Sequence, residues 1–380
     1  MFILLIKTYF FATFILMIIS KRILIFLAIA QALLSFLHFL IYELLQNFFP
    51  LAAQYKISSL IFLLILSFSF VFFSITSFNL DTFLLRWGYA ISATGLVWGL
   101  YFLVLSSAAL IVYMIFSFNL TMLGMIALGG SILLTLYGLI NARTPQFTEI
   151  TVKLPNLPAF WRNKIAVMAS DLHFGQTLRA GTAKKIVRLI NEQRPDIVFI
   201  PGDFYDGPRT NLNATAKEFK NLDAPLGIYF SSGNHEVIAG YEQCETAIAN
   251  AGIKVLEDEK TEIEGLQIIG LAYMEETDTN VKERLKKINF DKNKPSILLK
   301  HVPNHLEPIA EAGINLQLSG HTHLGQVWPF KYLTAKMFKG YDYGFKKLRS
   351  LQIFTSSGIG TWGPPIRVFT KAELVKITFE

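Results

Sequence analysis

Cysteine is nearly absent from this chain: Cys244 is the single one among 380 residues. An intrachain disulfide is therefore excluded, and so is a thiolate metal cluster, since each needs at least two sulfurs. Histidine is scarce, with seven residues. Charge is almost missing from the first 142 residues, where Lys7, Lys21, Arg22, Glu43, Lys56, Asp81 and Arg86 carry all of it. That stretch holds a basic surplus of three out of the overall +7, so the remainder has a modest and diffuse +4. No concentrated basic groove is evident, which argues against nucleic acid as a partner. Internal repeats and long low-complexity segments are also lacking.

What is present is apolar. Hydrophobic residues make up 52% of the chain, and the excess lies in residues 1–142. Ile23–Leu45, Ile57–Phe78, Tyr89–Phe116 and Leu120–Ile140 are each long enough to cross the roughly 30 Å hydrocarbon core as a helix. Met1–Ile19 is a fifth apolar stretch, but only Ser20-Lys21-Arg22 separates it from the next. It reads as a fifth span, an interfacial helix or an uncleaved signal-like start, with no Ala-x-Ala-type cleavage site. Lys21, Arg22, Arg86, Arg143 and Lys153 fall on one side of four later spans and Lys56 on the other, which places the remainder of the chain in the cytoplasm by the positive-inside rule. His38 sits inside the first clear span, where an ionisable group is costly and sometimes functional; the plainer reading is a neutral histidine hydrogen-bonded within the helices.

Residues 143–162, with Pro145, Pro155 and Pro158, read as a linker. From residue 163 to the end the pattern is α/β. Apolar runs at Ile165–Ala169, Asp196–Ile200, Leu226–Ser231, Ile297–Lys300, Leu316–Leu318, Gln352–Thr355 and Leu374–Phe379 have the length of strands, while Thr182–Gln193 and Tyr241–Ala251 have helical spacing. Five of the runs are followed at once by chemistry-bearing residues: Asp171 and His173, Asp203, Asn234 and His235, His301, then His321 and His323. Strand ends are where open α/β sheets gather functional loops.

Carboxylate, imidazole and amide oxygen without sulfur suit a divalent metal such as Mn²⁺, Fe²⁺ or Zn²⁺ better than an all-oxygen Ca²⁺ site. The set is too large for one tetrahedral ion and about right for two sharing a carboxylate. Taken singly, each piece also fits a plain structural role: Asp171-Leu172-His173 a strand-end turn, Gly202-Asp203 a βα turn, Asn234 a cap, His321-Thr322-His323 a chance exposed pair. Five pieces in order at strand ends favour the shared site.

Ser170-Asp171-Leu172-His173, Gly202-Asp203-Phe204-Tyr205-Asp206, Gly233-Asn234-His235-Glu236, His301 and Gly320-His321-Thr322-His323 resemble the ordered motifs of calcineurin-like metallophosphoesterases. The closing Ser357-Gly358-Ile359-Gly360-Thr361-Trp362-Gly363-Pro364-Pro365 resembles the bacterial branch that carries membrane helices before that domain. The resemblance implies a fold of two packed mixed β-sheets flanked by helices, after a multi-span α-helical membrane region. It implies two divalent metal ions, with Mn²⁺ preferred over Fe²⁺ or Zn²⁺. Asp171, His173 and His323 would hold the first and Asn234, His301 and His321 the second, with Asp203 bridging. His235 would be the catalytic histidine that is not a ligand, and Asp206 would orient a ligand or cap a turn. Glu236 stands where many relatives have aspartate and should not touch a metal. His305 reads as a surface or supporting residue.

The activity implied is hydrolysis of a phosphodiester or pyrophosphate bond without a covalent intermediate, at a membrane-anchored, multi-pass protein. Four spans exceed what tethering requires, so the expected partners are membrane lipids and a phosphorylated small-molecule or lipid-linked substrate, UDP-diacylglucosamine being one family-level candidate. The rival reading is a sensor or transport-associated protein whose phosphoesterase-like domain binds a ligand without turnover. Between Leu324 and Arg349 aromatic residues alternate with lysines, a composition suited either to a membrane interface or to an ordinary loop packed on its domain.

Overall fold

The computed structural model describes residues 21–51, 53–207 and 212–380; the expectation for Met1–Ile19 lies outside them. Four helices long and apolar enough to span a bilayer come first, Leu24–Phe48, Ala53–Phe78, Phe83–Phe116 and Leu120–Asn141, in agreement with the composition. The second breaks into Ala53–Ser67 and Ser69–Asn79. At the break Ser67 Oγ donates to Leu64 O at 2.6 Å, a back-bond of the kind that bends helices.

The chain separates into two compact units, one made of the chain up to Thr76 with Gly95–Ile132, the other of Ser77–Thr94 with Leu133–Glu380. The first is held by an apolar core around Ile41, Phe48, Phe102 and Ala127. Three of its polar side chains pair with one another: Gln31, Ser35 and Ser67 lie within 3.1–3.2 Å. His38 Nδ1 sits 2.8 Å from Leu34 O on its own helix, which is the plainer of its two readings.

The second unit contains twelve strands among the described residues: β1 Gln146–Val152, β2 Ile165–Met168, β3 Ile197–Pro201, β4 Ile228–Ser231, β5 Lys254–Val255, β6 Glu259–Ile263, β7 Leu266–Gly270, β8 Ser296–Leu299, β9 Leu316–Ser319, β10 Gly344–Leu348, β11 Leu351–Thr355 and β12 Glu373–Phe379. They form two six-stranded mixed sheets, ordered β1-β12-β2-β3-β4-β5 and β10-β11-β9-β8-β7-β6. The stretch read as a linker thus contains β1, which pairs in parallel with β12. Proline on either side of Gln146–Val152 marks where the strand begins and ends rather than an absence of structure.

The two-residue period of a strand sorts its side chains to opposite faces. Ala166 and Met168 of β2 and Ile197 and Phe199 of β3 meet Ile297, Leu299, Leu316 and Leu318 of β8 and β9 in the layer between the sheets. Val167, Val198 and Ile200 face outward against the helix Ala180–Glu192. On the far side, Ile269, Leu298 and Ile353 pack against the helices Asp278–Ile288 and Leu306–Ala312. The central strands β2, β3, β4, β8 and β9 therefore end side by side at one edge of the sandwich, each carrying a candidate ligand onto the loop that follows.

Candidate metal centre

The loops at that edge are laced together before any side chain is considered. Asp171 N donates to Gly202 O at 3.2 Å and His173 N to Asp203 O at 3.1 Å. Asp171, His173, Asp203, His321 and His323 all have φ between +46° and +73°. That left-handed backbone costs a non-glycine residue on the order of 1 kcal/mol or more and collects at functional sites.

Asp203 occupies the middle. Its Oδ2 lies 3.0 Å from His301 Nε2 and 3.7 Å from His173 Nε2, so it faces both halves of the site, and its Oδ1 accepts from His235 N at 3.0 Å. A Cβ on Gly233 would come within 2.1 Å of that same oxygen, so only glycine lets the two loops approach this closely. On one flank Asp171, His173 and His323 converge, with His173 Nε2 and His323 Nε2 2.9 Å apart and His323 Nε2 3.5 Å from Asp171 Oδ1. On the other, His321 Nδ1 is 2.9 Å from Asn234 Oδ1. His301 is turned so that its Nδ1 meets Pro201 O at 2.9 Å, leaving Nε2 to face Asp203.

The donor atoms fit divalent cations. Those of Asp171, His173 and His323 lie within 4.8 Å of one another, and so do those of Asp203, His301 and His321. Asp171 Oδ2 is buried without a hydrogen bond, and His301 Nε2 approaches Asp203 without hydrogen-bond geometry. Two imidazole nitrogens aimed at each other with one proton at most between them are an arrangement that a cation relieves. His173, Asp203 and His235 also satisfy the distance, so proximity alone does not separate His235 from the ligands. Its Nδ1 is already committed to the carbonyl of Asp206 at 2.5 Å.

Electrostatics ready two of the imidazoles for a cation, while His173 and His301, beside carboxylates, are pushed the other way. Burial, reinforced by the neighbouring His301, brings His321 down to about 3. Burial with His173 and Arg367 holds His323 well below its usual range. Both are thereby neutral imidazoles, the form that binds a cation. Burial also opposes charge on His301, but Asp203 outweighs it and pushes the pKa up to about 9. Burial works against a charged Asp203, yet His301 and His173 keep it below the ordinary carboxylate range. Asp171 is raised by burial, with Asp203 adding to the effect.

The supporting residues are mostly those the motifs did not single out. Asp206 Oδ1 is 3.2 Å from His173 Nδ1, where an orienting carboxylate belongs. Glu236 accepts from Gly233 N at 2.8 Å and from Asp203 N and Tyr205 N at 3.0 Å each, tying the Asp203 loop to the Asn234 loop. A glutamate three residues past the helix cap Gly233, reaching back to the cap's amide, was a readable signal. Lys300 is buried, 3.0 Å from Glu276 Oε2 and 2.6 Å from Asn304 Oδ1, and so steadies the His301 turn. Arg367 is fully buried; its Nη2 reaches the carbonyls of Ser357, Gly358 and Gly360 at 2.6–2.9 Å and lies 3.2 Å from His323 Nδ1. Nothing in its local sequence marks it, because its partners are distant carbonyls. His305 pairs with Asp278 at 2.5 Å and stays outside the cluster.

Beside His301 and His321 a cavity of about 390 Å³ opens, lined also by Tyr273, Met274, Asn304 and Phe338. Residues 165–325 match the family model described as calcineurin-like phosphoesterase. An uncharacterized metallophosphoesterase of Aquifex aeolicus is 33% identical over 249 residues, covering 63% of this chain and 92% of that protein. One from Campylobacter jejuni is 32% identical over 247 residues, 63% of this chain and 65% of its own length. A transmembrane protein with metallophosphoesterase domain from Danio rerio is 29% identical over 283 residues, 70% of this chain and 63% of its own. The chain thus spans somewhat less than two thirds of the length of the latter two.

Proposed function

We propose that this chain, which belongs to the calcineurin-like metallophosphoesterase family, is a multi-pass membrane hydrolase that cleaves a phosphodiester or pyrophosphate bond of a lipid-linked substrate with two divalent cations, Mn²⁺ being the native metal. The observation that carries the reading is the convergence of seven ligand-type side chains, from five strand ends of two sheets, around Asp203. Asp171, His173 and His323 would hold one cation, Asn234, His301 and His321 the other, and Asp203 both. When bound, such a pair supplies Lewis acidity and neutralises charge on phosphoryl oxygens.

The chain's own groups do the rest. Asp206 faces Nδ1 of His173, and Arg367 holds by its carbonyls the loop whose Gly358 packs against Asp171. Glu236 holds the Asp203 loop by its amides. His235, with Nδ1 turned to a carbonyl, has Nε2 left to exchange a proton with the leaving oxygen. The cavity beside His301 and His321 gives the remainder of the substrate a place to lie.

The cytoplasm is the proposed side of the domain. Asp81, in the loop between the second and third spans, pairs with Arg179 at 2.9 Å, and Asn141, ending the fourth span, donates to Arg367 O and Thr370 O. Two spans separate those points, so they share a side, and Arg86 and Arg143 stand close to them in the chain.

The test is turnover by the purified full-length protein, with Mn²⁺ and after chelation, of a soluble nitrophenyl diester and of lipid-linked pyrophosphates including UDP-diacylglucosamine. Chelator-sensitive hydrolysis favouring a lipid substrate is expected. Two bound metals with no turnover of any phosphoester would instead favour the ligand-binding sensor.

A further inference from the structure

The segment from Leu324 to Arg349 divides into two parts. Tyr341 packs on the outer core, Tyr343 Oη is hydrogen-bonded to Glu373 at 3.0 Å, and Arg349 pairs with Glu307. These belong to an ordinary packed loop and edge strand. The helix Lys331–Met337 does not, for none of its residues is buried. Tyr332, Leu333 and Met337 are 63%, 54% and 64% exposed, and Phe330, Lys336 and Lys339 are exposed around them. Thr334, on the opposite face, is tied to Asp342 at 3.0 Å. Phe338 packs its ring edge-on against His321 at 5.9 Å. One face is thus anchored to the metal centre, and the other offers large apolar groups ringed by lysine.

The position of this helix follows from its anchors. Val327 bridges Val368, Trp328 N donates to Val368 O at 3.1 Å, and Gln326 Nε2 donates to Trp362 O and Pro364 O. The 362–370 loop rides on the last turn of the fourth span: the rings of Phe369 and Tyr137 meet at a tilt with centroids 6.1 Å apart, and a Cβ at Gly138 would meet Ile366 at 2.4 Å. Gly138 lies three residues before the end of that span, roughly 4.5 Å along its axis. The loop is therefore at the depth of the span's end, and its Trp362 and Phe369 are exposed there. Phe330 is two residues past Trp328, at most about 7 Å of chain.

We infer that the segment Phe330–Lys339, built on the helix Lys331–Met337, docks on the anionic surface of the bilayer in which the chain is anchored, with Tyr332, Leu333 and Met337 entering the interface and Lys336 and Lys339 meeting lipid phosphates. Exposed aromatic and long apolar groups beside lysine, level with the end of a span, match a lipid surface in both charge and depth. The inference rests on the membrane reading given above and adds to it. Because Phe338 touches both the helix and His321 and lines the cavity, docking would set the mouth of the site against the headgroups.

The test does not depend on turnover, so its failure and that of the proposed hydrolysis are separable. Cys244 is buried, so Met337→Cys in the full chain places one accessible thiol for an environment-sensitive fluorophore. In nanodiscs containing phosphatidylglycerol, lipid-borne spin labels should quench it and aqueous iodide should not. Neutral nanodiscs should show weaker quenching, and Lys336→Gln or Lys339→Gln should each lower the docking equilibrium constant by roughly fivefold. A label equally open to iodide in anionic nanodiscs, neutral nanodiscs and detergent would overturn the inference. So would one shielded equally in all three, which would point to a second copy of the chain. The same label at Phe345→Cys, on β10, should remain open to iodide throughout.

Discussion

The two ligand groups differ in what stands behind them. Asp171, His173 and His323 are sealed, at 0%, 1% and 6% exposure, with Asp206 behind one imidazole and Arg367 behind the other. Asn234 and His321 are half-buried, and with His301 their group borders the cavity. The sealed group presents its donor atoms with almost no opening to solvent. The open group is where a substrate can enter. Catalysis and metal binding should therefore separate along this line, with changes at the centre impairing both and changes behind the sealed group acting through metal affinity.

The largest effect is expected at the residue both groups share. Asp203→Asn should lose at least one metal and nearly all hydrolysis, because an amide cannot neutralise two cations, while the spans remain inserted. Metal content by atomic spectroscopy and turnover on the same sample check this. Two retained metals with full activity would remove Asp203 from the bridging role.

Next is His235, which touches Asp203 through its amide but commits its ring to Asp206 O. His235→Ala should lower kcat by roughly 10²–10⁴-fold with metal content intact, and by less for a good leaving group such as nitrophenol. Metal loss in this variant would make His235 a ligand and blur the line between the groups.

Arg367 probes the sealed side alone. Lysine keeps the charge but cannot span three carbonyls and the edge of His323 at once. Arg367→Lys should weaken the first cation by about 10–100-fold and the second much less, read by titrating each with Mn²⁺ and following its magnetic resonance signal. Equal loss at both positions would make Arg367 a general structural support.

The candidate ligands were legible because each carries chemistry and each sits immediately after an apolar run: His301 after Ser296–Leu299, Asp203 after Ile197–Pro201. Such runs have a strand's length and end where the backbone turns. The strands that escaped reading lack that contrast. β10, Gly-Phe-Lys-Lys-Leu, is an exposed edge with two lysines, and β6 is mostly charged; both are specified by antiparallel neighbours β11 and β7 rather than by their own pattern. β1 was masked by its flanking prolines. Arg367 was illegible for a different reason, since a buried guanidinium is justified only by carbonyls that the fold brings to it. Glu236 lies between, its cap spacing visible but its hold on the Asp203 loop a tertiary fact.

The smallest effect is expected at the outer support of the sealed group. The loop after His173 is held from behind by the end of the second span and the loop that follows it: Gln176 Nε2 donates to Ser77 O at 2.6 Å, and Arg179 makes two 2.9 Å bonds to Asp81. The Arg179–Asp81 side chains are 37% and 27% exposed, and exposed pairs contribute about 0–1 kcal/mol. Asp81→Asn should therefore cost less than about 1 kcal/mol, seen as a small drop in the unfolding midpoint in detergent, with both metal affinities unchanged. Hydrogen bonds from Arg179 outweigh burial and hold the Asp81 pKa below its ordinary value. The pair's contribution is then complete above the unfolded pKa, near 4, and disappears as pH falls through the lower folded value. Wild type and variant should converge in acid, and also in high salt, where an exposed pair is screened. A loss of several kcal/mol, or a weakened first cation, would show that the membrane-side loop takes part in shaping the sealed group instead of only bracing it.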